Sequence, residues 1–240
     1  MKKITLRLAY IVLGLLVPAA LAGCGGSVAV LLGPDPTPEP TVVPQPFSRD
    51  WTLHTLKNDH LALSLPPGWM EFNLSEDDLQ TVVGGMMDAN PTFGGSMSGQ
   101  IAGMAAQGIK FYAFDKNSSS IASGFAENLN LVRTEKPTEI TLDAALKETM
   151  TGLKEQLGGM LDGPLMSTRL STTSGHELAR LNYDAVFNMP DGSPMTLSLV
   201  QYIAVTNRDL YVLTGTAQVS RFGDYDQIFE GVAQGMYFIP

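Results

Sequence analysis

Residues 165–217 read LMSTRLSTTSGHELARLNYDAVFNMPDGSPMTLSLVQYIAVTNRDLYVLTGTA, and their pattern decides the fold class. Four runs have strand character: Leu165 to Thr172, Glu177 to Asn188, Met195 to Thr206 and Asp209 to Ala217. They are rich in β-branched and aromatic residues and are bounded by turn residues. Ser174-Gly175 joins the first pair, Pro190-Asp191-Gly192 the second and Asn207-Arg208 the third. Links this short cannot carry a crossover, so neighbouring runs must lie antiparallel and adjacent.

Working outward, Thr141 to Met160 reads as the strongest helix. Leu142, Leu146, Met150, Leu153, Leu157 and Met160 recur at spacings of three and four. Thr141 can cap its start, with Asp143 in the first turn. A last helix near Asp224 to Gln234 puts Tyr225, Ile228, Phe229 and Val232 on one face. Upstream, Trp51 to Leu56 and Leu61 to Leu65 form a hairpin around Asn58-Asp59. Pro66-Pro67-Gly68 stops the second strand, and Trp69 covers the end of the core. Ser75 to Asp88 reads as a capped helix with Leu79, Val82, Val83 and Met86 as its buried stripe. Ile109 to Phe114 and Leu129 to Thr134 are strands, and Lys116 to Ser123 between them is a solvated loop. The order hairpin, helix, strands, helix, meander, helix predicts an α+β fold, an antiparallel β-sheet packed with helices.

The start of the chain has a different character. Lys2, Lys3 and Arg7 precede an apolar stretch, Leu8 to Ala22, which is shorter than the roughly 20 residues a spanning helix needs. This is the layout of an export signal. It ends in Leu21-Ala22-Gly23-Cys24, which resembles the lipobox of bacterial lipoproteins. The resemblance implies cleavage between Gly23 and Cys24 and acylation of Cys24, the only cysteine. Two or three acyl chains anchor stably where one is marginal. From Cys24 to Pro46 the chain is proline-rich, with Pro34, Pro36, Pro38, Pro40, Pro44 and Pro46, and favours an extended semi-rigid tether. The expected organisation is a signal peptide over 1–23, lipidated Cys24 and tether over 24–46, and a single domain over 47–240.

Formal net charge is −9. Three of the 15 basic residues lie in the signal segment, which leaves 12 against 24 acidic residues after cleavage. Nucleic acid needs a basic surface, so it is not an expected partner. Anionic lipid headgroups are repelled as well, so the acyl chains on Cys24 must make the membrane contact.

The segment Leu61-Ala62-Leu63-Ser64-Leu65-Pro66-Pro67-Gly68-Trp69, together with Gly175-His176-Glu177-Leu178-Ala179-Arg180-Leu181-Asn182-Tyr183, Gln201-Tyr202 and Leu210-Tyr211-Val212-Leu213-Thr214, resembles the PsbP-like α/β/α sandwich. That fold occurs in photosystem II extrinsic subunits and in bacterial lipoproteins of the LpqN and DcrB types. The resemblance spans roughly Trp51 to Phe238. It implies an accessory role: docking to membrane complexes, envelope maintenance or partner binding. No photosystem-specific motif is present.

Catalytic constellations are not found in the sequence. His54, His60 and His176 lack the i, i+4 spacing of a zinc pair. Ser96 and Ser98 each lack a glycine of G-x-S-x-G, and Gly94-Gly95-Ser96 has no following Gly-Lys-Ser/Thr. Asp224 and Asp226 suit a helix start better than a cation site. No enzyme activity, cofactor or metal is expected. The unusual feature is an insertion, Asp88 to Gly108. Met86, Met87, Met97 and Met104 accompany Gly95, Gly99 and Gly103, and methionine recurs on adaptable apolar surfaces. The segment 93–108 reads either as intradomain packing or a mobile loop, or as a flap over an apolar groove. Met86, Met87, Met97, Gly99, Gly103 and Met104 are the candidate ligand or partner surface. The expected function is a membrane-anchored, extracytoplasmic, non-enzymatic module that binds an envelope protein. The alternative is a carrier or sensor of a small hydrophobic, lipid-like ligand. The membrane is either the cell membrane or an outer membrane.

Overall fold

The computed structural model describes residues 44–74, 103–104, 107–123, 125–135, 140–188 and 192–239. The signal segment, the tether up to residue 43 and the helix expected over Ser75 to Asp88 lie outside the described residues. The described elements run β1 (Thr52–Leu56), β2 (Leu61–Leu65), β3 (Trp69–Asn73), β4 (Ile109–Asp115), β5 (Asn128–Glu135), α1 (Leu142–Leu157), β6 (Leu161–Ser171), β7 (Glu177–Asn188), β8 (Pro194–Val205), β9 (Asp209–Gln218), α2 (Phe222–Gln234) and β10 (Tyr237–Phe238).

Every strand pair is antiparallel, so the α+β expectation holds. The expected single sheet is two. Seven strands form the order β3-β4-β5-β9-β8-β7-β6, and three form β1-β2-β10. The physical reason is at the C-terminus, where Tyr237 and Phe238 pair with Ala62 and Leu61 and close the opening hairpin into a sheet of its own. Both of these short strands, β3 and β10, were missed by periodicity.

The seven-stranded sheet is the middle layer. Because opposed residues share a face, the register sorts its side chains. Leu131, Leu213, Tyr202 and Leu178 point to one face, where they join Leu61, Leu63 and Leu65 of β2 and Tyr225, Phe229 and Val232 of α2 in the main core. On the opposite face, Leu153 and Leu157 of α1 pack on Leu181, Tyr183, Leu197 and Leu199. The stripes expected of both helices face the sheet: Leu153, Leu157, Tyr225, Phe229 and Val232 are buried, and Leu142, Leu146, Met150, Met160 and Ile228 are half-buried. The Thr141 side chain accepts from the Ala144 N–H at 3.2 Å, and Gly158 ends α1 at φ 42°.

Trp69 does meet the core end, edge-on to Phe229 at 6.3 Å between ring centroids and close to Tyr225 at 6.4 Å. Gly215 permits the closest approach in this core: a Cβ there would lie 2.5 Å from the Phe229 ring. At the turn before Trp69, Gly68 has φ +90°, a conformation that glycine takes at little cost.

Two local expectations change. The loop after β4 is not simply solvated, because Ser118 and Ser120 are buried and donate to the fully buried Glu127 carboxylate, Ser120 at 2.7 Å. A buried carboxylate needs such donors. The helix α2 begins at Phe222, before Asp224. Asp224 sits in its first turn and pairs with Arg221 at 3.0 Å, while Asp226 pairs with Arg180 at 2.6 Å. The two aspartates are thus drawn to separate arginines.

Candidate docking groove

Among the described residues, the strand β6 is the last in the large sheet, and it is mostly exposed along its length. Its pairing with β7 slips. Asp162 lies opposite Asp184, and the next pair is Met166 with Asn182. Gly163, Pro164 and Leu165 are therefore set against Tyr183 alone. Gly163 takes φ +99°, and Pro164 has no N–H for a ladder. Such a bulge bends an edge strand and redirects its side chains.

Beside the bulge, on the face that carries α2, is a groove of about 430 Å³. Asp162, Pro164 and Met166 form one wall. Asn182, Asp184 and Ser198 contribute to the floor. Val219, Phe222 and Gly223, at the start of α2, form the other wall. Met166 is 62% exposed and Val219 49%. Among the described residues the only other exposed large hydrophobic is Phe47, whose ring lies 5.4 Å from that of Trp51.

The polar floor is held in place. Ser198 donates to Asp184 at 2.6 Å. The Arg180 Nε donates to Asn182 Oδ1 at 3.1 Å, and its other nitrogens donate to Asp226 at 2.6 Å and Glu230 at 3.0 Å. Beneath this network the Tyr202 hydroxyl is buried with no hydrogen-bond partner among the described residues. Burial pushes its pKa above the ordinary phenol value, against the pull of Arg180. The cross-strand pair of Asp162 and Asp184 sets like charges opposite one another, which costs stability in a sheet. The arrangement suits recognition: an apolar rim, two carboxylates and an open strand edge.

The opposite face carries a second unusual feature. Across β5, β9 and β8, the rows Asn130-Thr214-Gln201 and Asn128-Thr216-Leu199 place five polar side chains at the centre of the sheet. All five are buried. Gln201 Nε2 reaches Thr214 Oγ1 at 3.4 Å, whereas Gln201 Oε1 and the Tyr183 hydroxyl have no hydrogen-bond partner among the described residues. Alternation marks these positions as inward, but only the register shows that they form one band.

Among the described residues, the histidines and the Met/Gly residues singled out from sequence do not line the groove. His54 Nδ1 lies 2.8 Å from Glu71 Oε1, His176 Nε2 lies 3.1 Å from the Val205 carbonyl, and His60 is the left-handed residue ending the first turn. Among the described residues no three His, Cys, Asp or Glu side chains could hold a metal ion. Of the Met/Gly surface, Met86, Met87, Met97 and Gly99 lie outside the described residues, as do Gly23 and Cys24. Gly103 and Met104 are helical, and their carbonyls accept from the Gln107 N–H. Met104 is 1% exposed and packs with Phe72, Ile109, Tyr112, Phe114 and Val132 on the sheet. In the sequence, the Asp162-Gly163-Pro164 run at the head of β6 was the available signal for the bulge. Nothing local marked Met166 and Val219 as neighbours.

No family model and no curated protein matches the chain. Solved structures do. The cyanobacterial PsbP (CyanoP) of Synechocystis sp. PCC 6803 aligns over 91% of this chain and 98% of its own, at 11% identity and a TM-score of 0.46. The domain is similar to PsbP. LpqN of Mycobacterium tuberculosis, involved in cell envelope biogenesis there, aligns over 75% of this chain and 83% of its own, at 9% identity and a TM-score of 0.45. The Saccharomyces cerevisiae Ran-binding protein Mog1p aligns over 80% and 97%, at 9% identity and a TM-score of 0.43. PsbP and LpqN, named in the resemblance read from the sequence, are thus among the solved structures that align with this chain, each at 11% identity or less.

Proposed function

We propose that this protein is a lipid-anchored, extracytoplasmic binding module that engages an envelope protein through the groove between β6 and α2. The observation that carries the reading is the coincidence of two exposed apolar side chains, Met166 and Val219, with a groove at an open sheet edge. Exposed apolar surface rimmed by polar groups is typical of interaction sites. The anchor rests on the run from Lys2 through the apolar stretch to Leu21-Ala22-Gly23-Cys24. No helix among the described residues is long and apolar enough to cross a membrane. The non-enzymatic reading rests on the sequence, in which His54, His60 and His176 fall into no zinc-binding spacing and no serine sits in G-x-S-x-G.

The test places a photo-reactive amino acid at position 166 of the full chain in its native cells, with exposed Lys147 of α1 as the control position. The expected result is one dominant protein adduct at 166 and none at 147. Equal labelling at both positions, or none at 166, overturns the groove. In the same cells, Cys24→Ser is expected to move the protein out of the membrane fraction and to remove the acyl mass from the mature N-terminus. Unchanged membrane partitioning overturns the anchor.

A further inference from the structure

We infer that the groove's occupant is an extended protein segment bearing lysine or arginine, which pairs along the outer edge of β6; this rests on the binding-module reading above. Sheet edges are usually protected by proline, bulges or charge. Here Gly163, Pro164 and the bulge protect only the first part of β6. From Met166 to Ser171 the strand holds regular register with β7 and contains neither glycine nor proline; its one charge, Arg169, is on the opposite face from Met166 and pairs with Asp143 of α1. Its outer edge is the end of the described sheet. Six residues of regular edge can template an added strand, with main-chain hydrogen bonds giving affinity and a side pocket giving selectivity.

Alternate residues of an added strand face the same side. One residue can therefore lie against Met166, at the mouth of the groove whose far wall is Val219 and Phe222, while another, two positions away, reaches toward Asp162 and Asp184. Charge decides which residue that second one is. Asp162 and Asp184 are the charged residues that line the groove, and the arginines on the neighbouring elements are Arg180 of β7 and Arg221 just before α2. Both arginines are already committed, to Asp226 and Glu230 and to Asp224. The field at Asp162 and Asp184 is left negative.

The same charge disfavours the other candidate occupants. A second copy of this chain, of net charge −9, would bring two more aspartates to the shared edge. The chain's own tether, residues 25–46, contains Asp35 and Glu39 and no lysine or arginine. Anionic lipid headgroups carry the wrong sign.

The probe is an acetylated, amidated octapeptide, Thr-Val-Thr-Lys-Thr-Val-Thr-Lys, with a second peptide in which both lysines are replaced by glutamate. Each is titrated into the full-length acylated protein in detergent micelles, with backbone amide shifts as the readout. The expected result is shifts along Met166 to Ser171 and at Asn182, Asp184 and Ser198 with the lysine peptide. Binding of the glutamate peptide should be at least about tenfold weaker. The double variant Asp162→Asn, Asp184→Asn removes a like-charge pair and therefore keeps its fold; it should lose the preference for lysine. Equal binding of the two peptides, shifts confined to other surfaces, or no binding overturns the inference. If crosslinks from position 166 map to a partner segment without lysine or arginine, the basic-strand inference falls and the groove stands. If position 166 crosslinks nothing, both fall.

Discussion

Arg133, on β5, ties three separate pieces of chain together. Its guanidinium donates to the Asn58 carbonyl at 2.7 Å and lies 3.0 Å from Asp209 Oδ1 and 3.8 Å from Asp59 Oδ1. The contact with Asp209 is close, although it is not aligned as a hydrogen bond to that oxygen. Asp59 and Asp209 are both buried, and the Tyr211 hydroxyl reaches the Asp59 carbonyl at 2.9 Å. Removing the cation leaves two carboxylates in the interior without their counter-charge. Arg133→Ala is therefore expected to cost about 3–5 kcal/mol, read by urea unfolding; a loss below about 1 kcal/mol would contradict the account. Gln201 predicts the opposite sign. Its Oε1 is buried and unpartnered, so Gln201→Met should be neutral or stabilise by up to about 1–3 kcal/mol. A clear loss would mean that the amide is satisfied in solution. Neither residue could be ranked from sequence. Arg133 meets a carbonyl 75 positions away, and Gln201 sits in a strand whose alternation says only that it faces inward.

Elements were more legible than contacts. The links Ser174-Gly175 and Asn207-Arg208 give the hairpins expected of them, with Gly175 at φ +86° and Thr206 N–H donating to Asp209 O at 2.9 Å. The stripe of α1 and its Thr141 cap were visible because helical period and capping are local properties. The strands β3 and β10 were not, since five residues after a proline turn and two residues at the chain end carry too little period to detect. The groove was hidden for a related reason: it depends on a slipped register, which alternation within one strand cannot report. Packing of α2 on the sheet depends on a missing side chain. Gly215→Ala would force a methyl group toward the Phe229 ring and should destabilise by about 1–3 kcal/mol, with part of the loss recovered in the Gly215→Ala, Phe229→Leu double variant. Strictly additive effects in thermal unfolding would show that the ring is not what Gly215 accommodates.

At the scale of the whole molecule, two sheets and two described helices bury five tyrosines whose phenols are all pushed up by desolvation: Tyr112, Tyr183, Tyr202, Tyr211 and Tyr225. Tyr225 also donates to Asp115 at 2.7 Å, which adds to its rise. The folded protein keeps these groups protonated where the unfolded chain ionises them, near pH 10. Stability is therefore fully present below about pH 10 and is lost as pH rises past it. Phenolate absorbance and far-UV circular dichroism should change together on alkaline titration. Phenolate formation by these five tyrosines at ordinary pKa values with the fold intact would contradict this burial.

The central claim is that β6 is completed by a partner. Hydrogen–deuterium exchange tests it most directly, comparing the full-length protein in native membranes with the same protein purified in detergent. The account predicts that the backbone amides from Met166 to Ser171 exchange more slowly in the membranes, because a bound segment takes up the strand edge. Identical rates for those six residues in both settings, with protection appearing on another surface, would contradict it.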